Sequence, residues 1–178
     1  MKLSKPPAIS LSSKIAELSK LNILSLVLVA TFLGFYLGNN GEMEYSKLLL
    51  TLLGTALTAA GSGSLNHYLE RDADKKMDRT RNRPLPSGTL TPLFAVLYGM
   101  ALVVIGSVTL AYFVNLLTGF LSLLTAFLYI VVYTPLKKIT WLNTSIGSIP
   151  GAIPIIGGWT AASNSISPMA LVLFGIMY

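Results

Sequence analysis

The chain contains no cysteine, so disulfide bonds and thiolate metal ligands have no part in its structure or chemistry. Charged residues are also scarce, at 11% of the 178 residues, whereas soluble domains average about 25%. The first twenty residues are polar and basic and lack a small-residue cleavage site, so we expect no signal peptide. No repeat or low-complexity tract is recognisable. With 53% apolar residues, this composition indicates a protein embedded in the lipid bilayer.

Long apolar runs predict an all-α, polytopic membrane helical bundle. Crossing a bilayer core takes about 20 residues. Residues 1–20 are predicted to be a cytoplasmic or interfacial segment with an amphipathic helix beginning near Ser12, and residues 21–178 to form the membrane domain. A truncated sixth run begins near Ser167. The five runs that are long enough, or nearly so, lie at 21–38, 47–69, 93–114, 117–134 and 143–162.

Basic residues concentrate before the first apolar run, after the second and after the fourth, and the two intervening connections lack Lys and Arg. Because positively charged loops stay on the cytoplasmic side, the N-terminus and the segment after the second run are predicted to face the cytoplasm from the inner membrane. Topology therefore explains the net charge of +6, and no nucleic-acid partner is expected.

The densest group of polar side chains lies at the end of the second apolar run. Every fourth position there carries an oxygen-bearing side chain: Asn66, Glu70, Asp74 and Asp78. Four residues of an α-helix advance only about 40° beyond a full turn, so we expect one helix face to carry all four. Such ligands suit Mg²⁺, which one or two carboxylates usually hold together with substrate phosphates. A solvated helix end is the simpler interpretation, but charge at the end of a span is costly and usually functional.

Basic side chains follow the acidic group and recur after the fourth run. Positive-inside topology alone would place them there. Together with the carboxylates, however, they supply what a diphosphate needs, because Arg and Lys bind the phosphate charge that a metal leaves over. The candidates for diphosphate binding are Arg79, Arg83, Lys137 and Lys138.

Three further features have alternative interpretations. His67, the single histidine, is a general base, a haem ligand or, as we favour, a packing or headgroup residue. Tyr133 is an interfacial aromatic or a ring that stabilises a carbocation. The Gly- and Pro-rich segment 144–159 predicts a broken helix, which is tolerated in a membrane only where it borders a cavity or protein.

Residues 66–88 read NHYLERDADKKMDRTRNRPLPSG. This segment resembles the first aspartate-rich motif of the UbiA superfamily of intramembrane prenyltransferases. Within that superfamily, residues 133–143 and 147–159 are similar to the haem-farnesylating members. The resemblance extends from about residue 20 to the end of the chain.

The resemblance implies a bundle of about nine membrane helices around a cavity. It implies farnesyl transfer from farnesyl diphosphate to a vinyl group of haem b, with Mg²⁺ as cofactor and haem O as product. Asn66, Glu70 and Asp74 become the catalytic, metal–diphosphate positions, with Asp78 an outer metal candidate. Glu70 stands where aspartate is commoner, but it keeps the carboxylate. The residues implied to bind diphosphate are the same basic candidates, Arg79, Arg83, Lys137 and Lys138.

The family also has a second acidic motif after its sixth helix, and this chain ends within that helix. We therefore expect a partner or missing C-terminal half, and isolated residues 1–178 to be inactive. Alternatives remain open: prenylation of an aromatic quinone precursor, or a non-catalytic membrane protein that binds haem or assists assembly. Cation transport ranks lower, because the carboxylates lie at the membrane edge rather than the midplane.

Overall fold

A computed structural model describes residues 11–39, 41–137 and 139–178. These ranges are helical and contain no strand, which confirms the all-α prediction. In chain order the helices are α1 Leu11–Leu18, α2 Leu21–Gly38, α3 Tyr45–Asp74, α4 Pro92–Phe113, α5 Leu116–Leu136, α6 Asn143–Ser163 and α7 Pro168–Met177.

Four helices of the described ranges, α2 to α5, have the length and hydropathy of membrane spans. They coincide with the first four predicted runs. The fifth run is also a helix, α6, but polar residues, glycines and prolines dilute its apolar character, so its status as a span stays a prediction. Helix α7 has ten residues, fewer than the roughly 20 that a crossing needs.

Helix α3 is the longest helix of the described chain, at 30 residues. At 1.5 Å per residue it is about 45 Å long, whereas the hydrocarbon core is about 30 Å thick. Its last turns therefore extend to the membrane edge, and these turns contain the predicted acidic face.

Glycines bring neighbouring helices together closely. A Cβ added to Gly61 in α3 would lie 2.5 Å from the carbonyl oxygen of Gly99 in α4. Between α2 and α6 the approach is closer still: added Cβ atoms on Gly34 and Gly158 would overlap the opposite backbone. Small residues permit this packing, and the packing fixes α3 against its neighbours.

Helix α6 is continuous from Asn143 to Ser163, although Pro150 and Pro154 lie inside it. The prediction of a broken helix is wrong here. Each proline removes one intrahelical hydrogen bond, but most residues of α6 from Pro150 onward are buried, and the helix packs tightly against α2. Tertiary packing of this kind overrides local helix propensity.

Helix α5 contains a π-helical segment at Leu128–Tyr133. At its end the backbone N–H of Thr134 donates to the carbonyl of Tyr129, five residues earlier. Such a segment inserts an extra residue into one turn and often occurs at functional sites. It changes which face of the last turn of α5 meets α3.

Candidate functional site

A chamber of about 560 Å³ lies between α2, α3, α5 and α6. Its wall is mainly apolar along the spans and becomes polar and basic at one end, where Lys20, Tyr133 and Lys137 contribute to it. Gly147, Pro150 and other residues of α6 line it as well. The prediction that the Gly- and Pro-rich segment borders a cavity is therefore confirmed.

Three of the four predicted oxygen ligands lie together on the last turns of α3. Asn66 is fully buried, and Glu70 and Asp74 are only 6% and 5% exposed. Asp78 is separate, because α3 ends at Asp74. Its side chain is 95% exposed and pairs with Arg81 at 3.2 Å. The prediction that one helix face carries all four side chains is therefore wrong for Asp78.

Two of the predicted diphosphate-binding residues pair with the buried carboxylates. The ammonium group of Lys137 forms an ion pair with Glu70. Arg83 donates from Nη1 to Oδ2 of Asp74 at 2.9 Å. Arg79 lines a neighbouring cleft together with Arg83, and Lys138 lies outside the described residues. The site thus places its carboxylates next to cations that can also bind phosphate.

Lys20, in the connection between α1 and α2, is a site residue that the sequence analysis missed. Its Nζ donates to Oδ1 of Asn66, 46 positions along the chain. Its φ of 50° lies in the left-handed region, which is uncommon for a residue other than glycine and is often associated with functional sites. Burial lowers the pKa of the Lys20 ammonium, and the negative charge of Glu70 opposes that shift. Its one signal in the sequence is a lysine directly before the first span, where positive-inside topology alone would also place it.

Helix α5 completes the site with Thr134 and two aromatic rings. Nδ2 of Asn66 donates to Oγ1 of Thr134 at 2.9 Å. Tyr129 and Tyr133 stack with ring centroids 5.7 Å apart, and both line the chamber. Nζ of Lys137 lies 5.9 Å from the centroid of the Tyr133 ring. The faces of these rings attract positive charge, so this end of the chamber suits a cation as well as an anion.

The profile of the UbiA prenyltransferase family matches residues 27–178. The chain belongs to the UbiA prenyltransferase family. Together with its apolar helices, this membership makes it an integral membrane protein.

Several curated UbiA relatives are similar along most of the chain. The mitochondrial protoheme IX farnesyltransferase of Homo sapiens is 43% identical over 164 residues, which cover 92% of this chain and 37% of that protein. The protoheme IX farnesyltransferases of Aquifex aeolicus and Salinibacter ruber are 43% and 46% identical, and each comparison covers 90% of this chain and 56% of the relative. The chain thus spans about half the length of these bacterial relatives and less of the human one.

Solved structures of UbiA proteins share the fold. A structure of digeranylgeranylglyceryl phosphate synthase matches with a TM-score of 0.80 at 20% identity, covering 92% of this chain and 57% of that one. A UbiA homolog from Archaeoglobus fulgidus, bound to GPP and Mg²⁺, matches with a TM-score of 0.74 at 20% identity, covering 93% and 60%. At this identity the likeness supports the helical architecture.

The donor atoms on the last turns of α3 fit a hard divalent cation. Asn66, Glu70 and Asp74 present an amide oxygen and two carboxylates, which are ligands that Mg²⁺ accepts. Within the described ranges, however, no three or more Asp, Glu or His side chains form a cluster. If these residues hold an ion, they supply only part of its coordination shell, and oxygens of a diphosphate and water are suitable for the rest.

His67 lies outside the chamber and lines the cleft with Arg79 and Arg83. It is 2% exposed, and its Nδ1 has no hydrogen-bond partner among the described residues. The ring adjoins Asn66 in sequence but belongs to a different face of α3. A packing or headgroup role for His67 stays a prediction.

Proposed function

We propose that this protein serves the transfer of a farnesyl group from farnesyl diphosphate to a vinyl group of haem b, giving haem O. The observation that carries the proposal is the buried face of Asn66, Glu70 and Asp74, next to Lys137 and Arg83 at the polar end of an apolar chamber. Similarity to proteins named protoheme IX farnesyltransferase supports the choice of haem as acceptor.

The residues of the face divide between a metal and a diphosphate. Asn66, Glu70 and Asp74 would hold Mg²⁺, with Asp78 an outer candidate beyond the helix end. The bound ion would neutralise phosphate charge and so weaken the allylic C–O bond. In the substrate complex, Lys137 and Arg83 turn from the carboxylates towards phosphate oxygens, and Arg79 and Lys138 are further candidates. These basic side chains then stabilise the negative charge that develops on the leaving diphosphate.

The transfer proceeds in the chamber. The allylic C–O bond breaks, and its electron pair leaves with the diphosphate. The π electrons of the haem vinyl group form the new C–C bond to the allylic carbon. Water then adds to the remaining carbocation and releases a proton, which gives the hydroxyethylfarnesyl group. The rings of Tyr129 and Tyr133 stabilise positive charge at this end of the chamber, and the apolar wall keeps bulk water away from it.

The membrane orientation is part of the proposal. Basic residues precede the first span and follow the second and the fourth, so the site faces the cytoplasmic side of the inner membrane. Farnesyl diphosphate would then reach the polar end of the chamber with its charged group in water and its chain directed along the spans.

The test uses the protein in its native membranes, supplied with labelled farnesyl diphosphate and either haem b or 4-hydroxybenzoate. We expect label in the haem fraction, and its loss when EDTA removes divalent ions. Label confined to the aromatic acid would refute the haem proposal and leave prenyl transfer standing. Haem binding without any labelled product, in membranes that farnesylate haem through no other enzyme, would favour the assembly alternative.

A further inference from the structure

The hydrogen bonds of Thr134 determine which way the amide of Asn66 faces. Thr134 follows the π-helical segment of α5 and is 1% exposed. Its hydroxyl donates to the carbonyl of Tyr129 at 2.7 Å. Because a threonine hydroxyl has one proton, it acts only as an acceptor towards Asn66, whose Nδ2 lies 2.9 Å away.

The other side of the same amide meets Lys20, which has only donors to offer. Its Nζ contacts Oδ1 of Asn66. The acceptor Thr134 on one side and the donor Lys20 on the other therefore favour the same orientation of the amide. Nδ2 points towards α5 and Oδ1 points towards Lys20. A flipped amide would bring two donors, Nδ2 and Nζ, against each other at Lys20.

The π-helical segment is what brings the hydroxyl to this place. One residue added to a turn rotates the following residues by roughly 100° about the helix axis. The hydroxyl of a helical threonine usually bonds the carbonyl four residues earlier, as Thr125 does with Leu121. Thr134 instead bonds Tyr129, five residues earlier, and so faces α3.

We propose that Thr134 is a positioning residue that fixes Oδ1 of Asn66 as an oxygen ligand. Thr134 touches neither substrate nor metal and acts through Asn66. Since residues behind a metal ligand hold that ligand in its binding orientation, loss of the hydroxyl frees the amide to rotate. The inference rests on the proposed function, because it assigns Asn66 to the metal.

The experiment measures the Mg²⁺ concentration that gives half-maximal farnesyl transfer, in native membranes, for Thr134→Val, Thr134→Ser and Thr109→Val. Loss of an outer-shell partner lowers metal affinity about 10- to 100-fold, so we expect Thr134→Val to need at least about tenfold more Mg²⁺. Thr134→Ser retains the hydroxyl and should restore the wild-type requirement. Thr109→Val is the matched control: it removes the same kind of bond, to Ile105 at 2.7 Å, on a different helix away from the chamber, and should leave the Mg²⁺ requirement unchanged.

An Asn66→Asp background gives an independent measurement. A carboxylate presents oxygen in either orientation and has no donor for Thr134, so adding Thr134→Val there should change the Mg²⁺ requirement little. Equal effects of Thr134→Val in both backgrounds would overturn the inference. If the valine variant does not accumulate in membranes, Thr134→Ala provides the same comparison.

The outcomes separate the two proposals. Wild-type protein without Mg²⁺-dependent transfer contradicts the proposed function. A different result contradicts the positioning role alone. In that case the wild-type protein shows Mg²⁺-dependent transfer, and the Thr134→Val variant is thermally less stable but has the wild-type Mg²⁺ requirement. Thr134 would then be a packing link between α3 and α5.

Discussion

The charge pair between Asp74 and Arg83 allows a test that separates stability from catalysis. Asp74→Asn removes the charge of a carboxylate that is 5% exposed and accepts from Arg83 at 2.9 Å. Breaking a fully buried pair costs about 3–5 kcal/mol. Because 23% of the Arg83 side chain remains exposed, water can solvate the unpaired guanidinium and reduce this cost. We therefore expect the free energy of unfolding to fall by about 2 kcal/mol.

Loss of catalysis should exceed what this loss of stability explains. If Asp74 holds the metal–diphosphate complex, its replacement removes stabilisation of the negative charge that develops on the leaving diphosphate. Loss of one such stabilising group typically lowers kcat by about 100- to 1,000-fold. The assays are thermal unfolding in detergent and farnesyl transfer per folded molecule in membranes. In the double variant Asp74→Asn/Arg83→Met no guanidinium is left unpaired, so much of the stability should return while transfer stays low.

Asp72→Asn is the matched control, two residues away on the same helix. The Asp72 carboxylate is 74% exposed and lies 3.6 Å from Arg71, so its removal should change stability by less than about 1 kcal/mol and leave transfer intact. If Asp74→Asn transferred farnesyl as fast as Asp72→Asn, the metal role of Asp74 would be refuted.

Three more perturbations follow from the fold. Since the chain has no cysteine, Glu42→Cys and Asn82→Cys each place the single thiol of the chain at one of the two ends of α3. A membrane-impermeant maleimide should label the Glu42→Cys variant from outside the cell and the Asn82→Cys variant only in inverted vesicles. The reverse labelling pattern contradicts the proposed orientation. Gly61→Leu should lower the free energy of unfolding by about 1–3 kcal/mol or more through overpacking. Gly41→Leu should not, because no atom lies within 4 Å of a Cβ added there. Equal effects of the two substitutions in unfolding measurements contradict the close packing of α3 against α4. Because Lys20 lines the polar end of the chamber, it is a further candidate for diphosphate binding. Lys20→Met should then raise the KM for farnesyl diphosphate about tenfold, the equivalent of one charged hydrogen bond, and an unchanged KM would exclude Lys20 from substrate binding.

The sequence predicts the spans and the acidic face because both depend on local patterns. Apolar runs located α2 to α5, and the four-residue spacing located Asn66, Glu70 and Asp74. That spacing also included Asp78, because periodicity alone does not indicate where a helix ends. In the fold, the Thr80 hydroxyl donates to the carbonyl of Asp74 at 2.9 Å, and the chain turns away there.

The features that the sequence did not predict depend on contacts between distant segments. Residues 128–133 read LYIVVY, which suggests an ordinary apolar helix, and the π-helical turn is accompanied by the contact of Thr134 with Asn66, 68 positions away. Lys20 reaches Asn66 only because α1 and α2 pack beside α3. The prolines of α6 predict a break locally, but tight packing against α2 keeps that helix continuous.

The close contact between α2 and α6 has a consequence for how substrates enter the chamber. Backbone lies against backbone where Gly34 meets Ile155 and where Gly158 meets Thr31, so no hydrocarbon chain fits between the two helices along this stretch. A lipid-dissolved molecule that enters the chamber sideways therefore has to pass outside this stretch of contact. On this flank, a bulkier side chain would separate the two helices and open the interior to acyl chains.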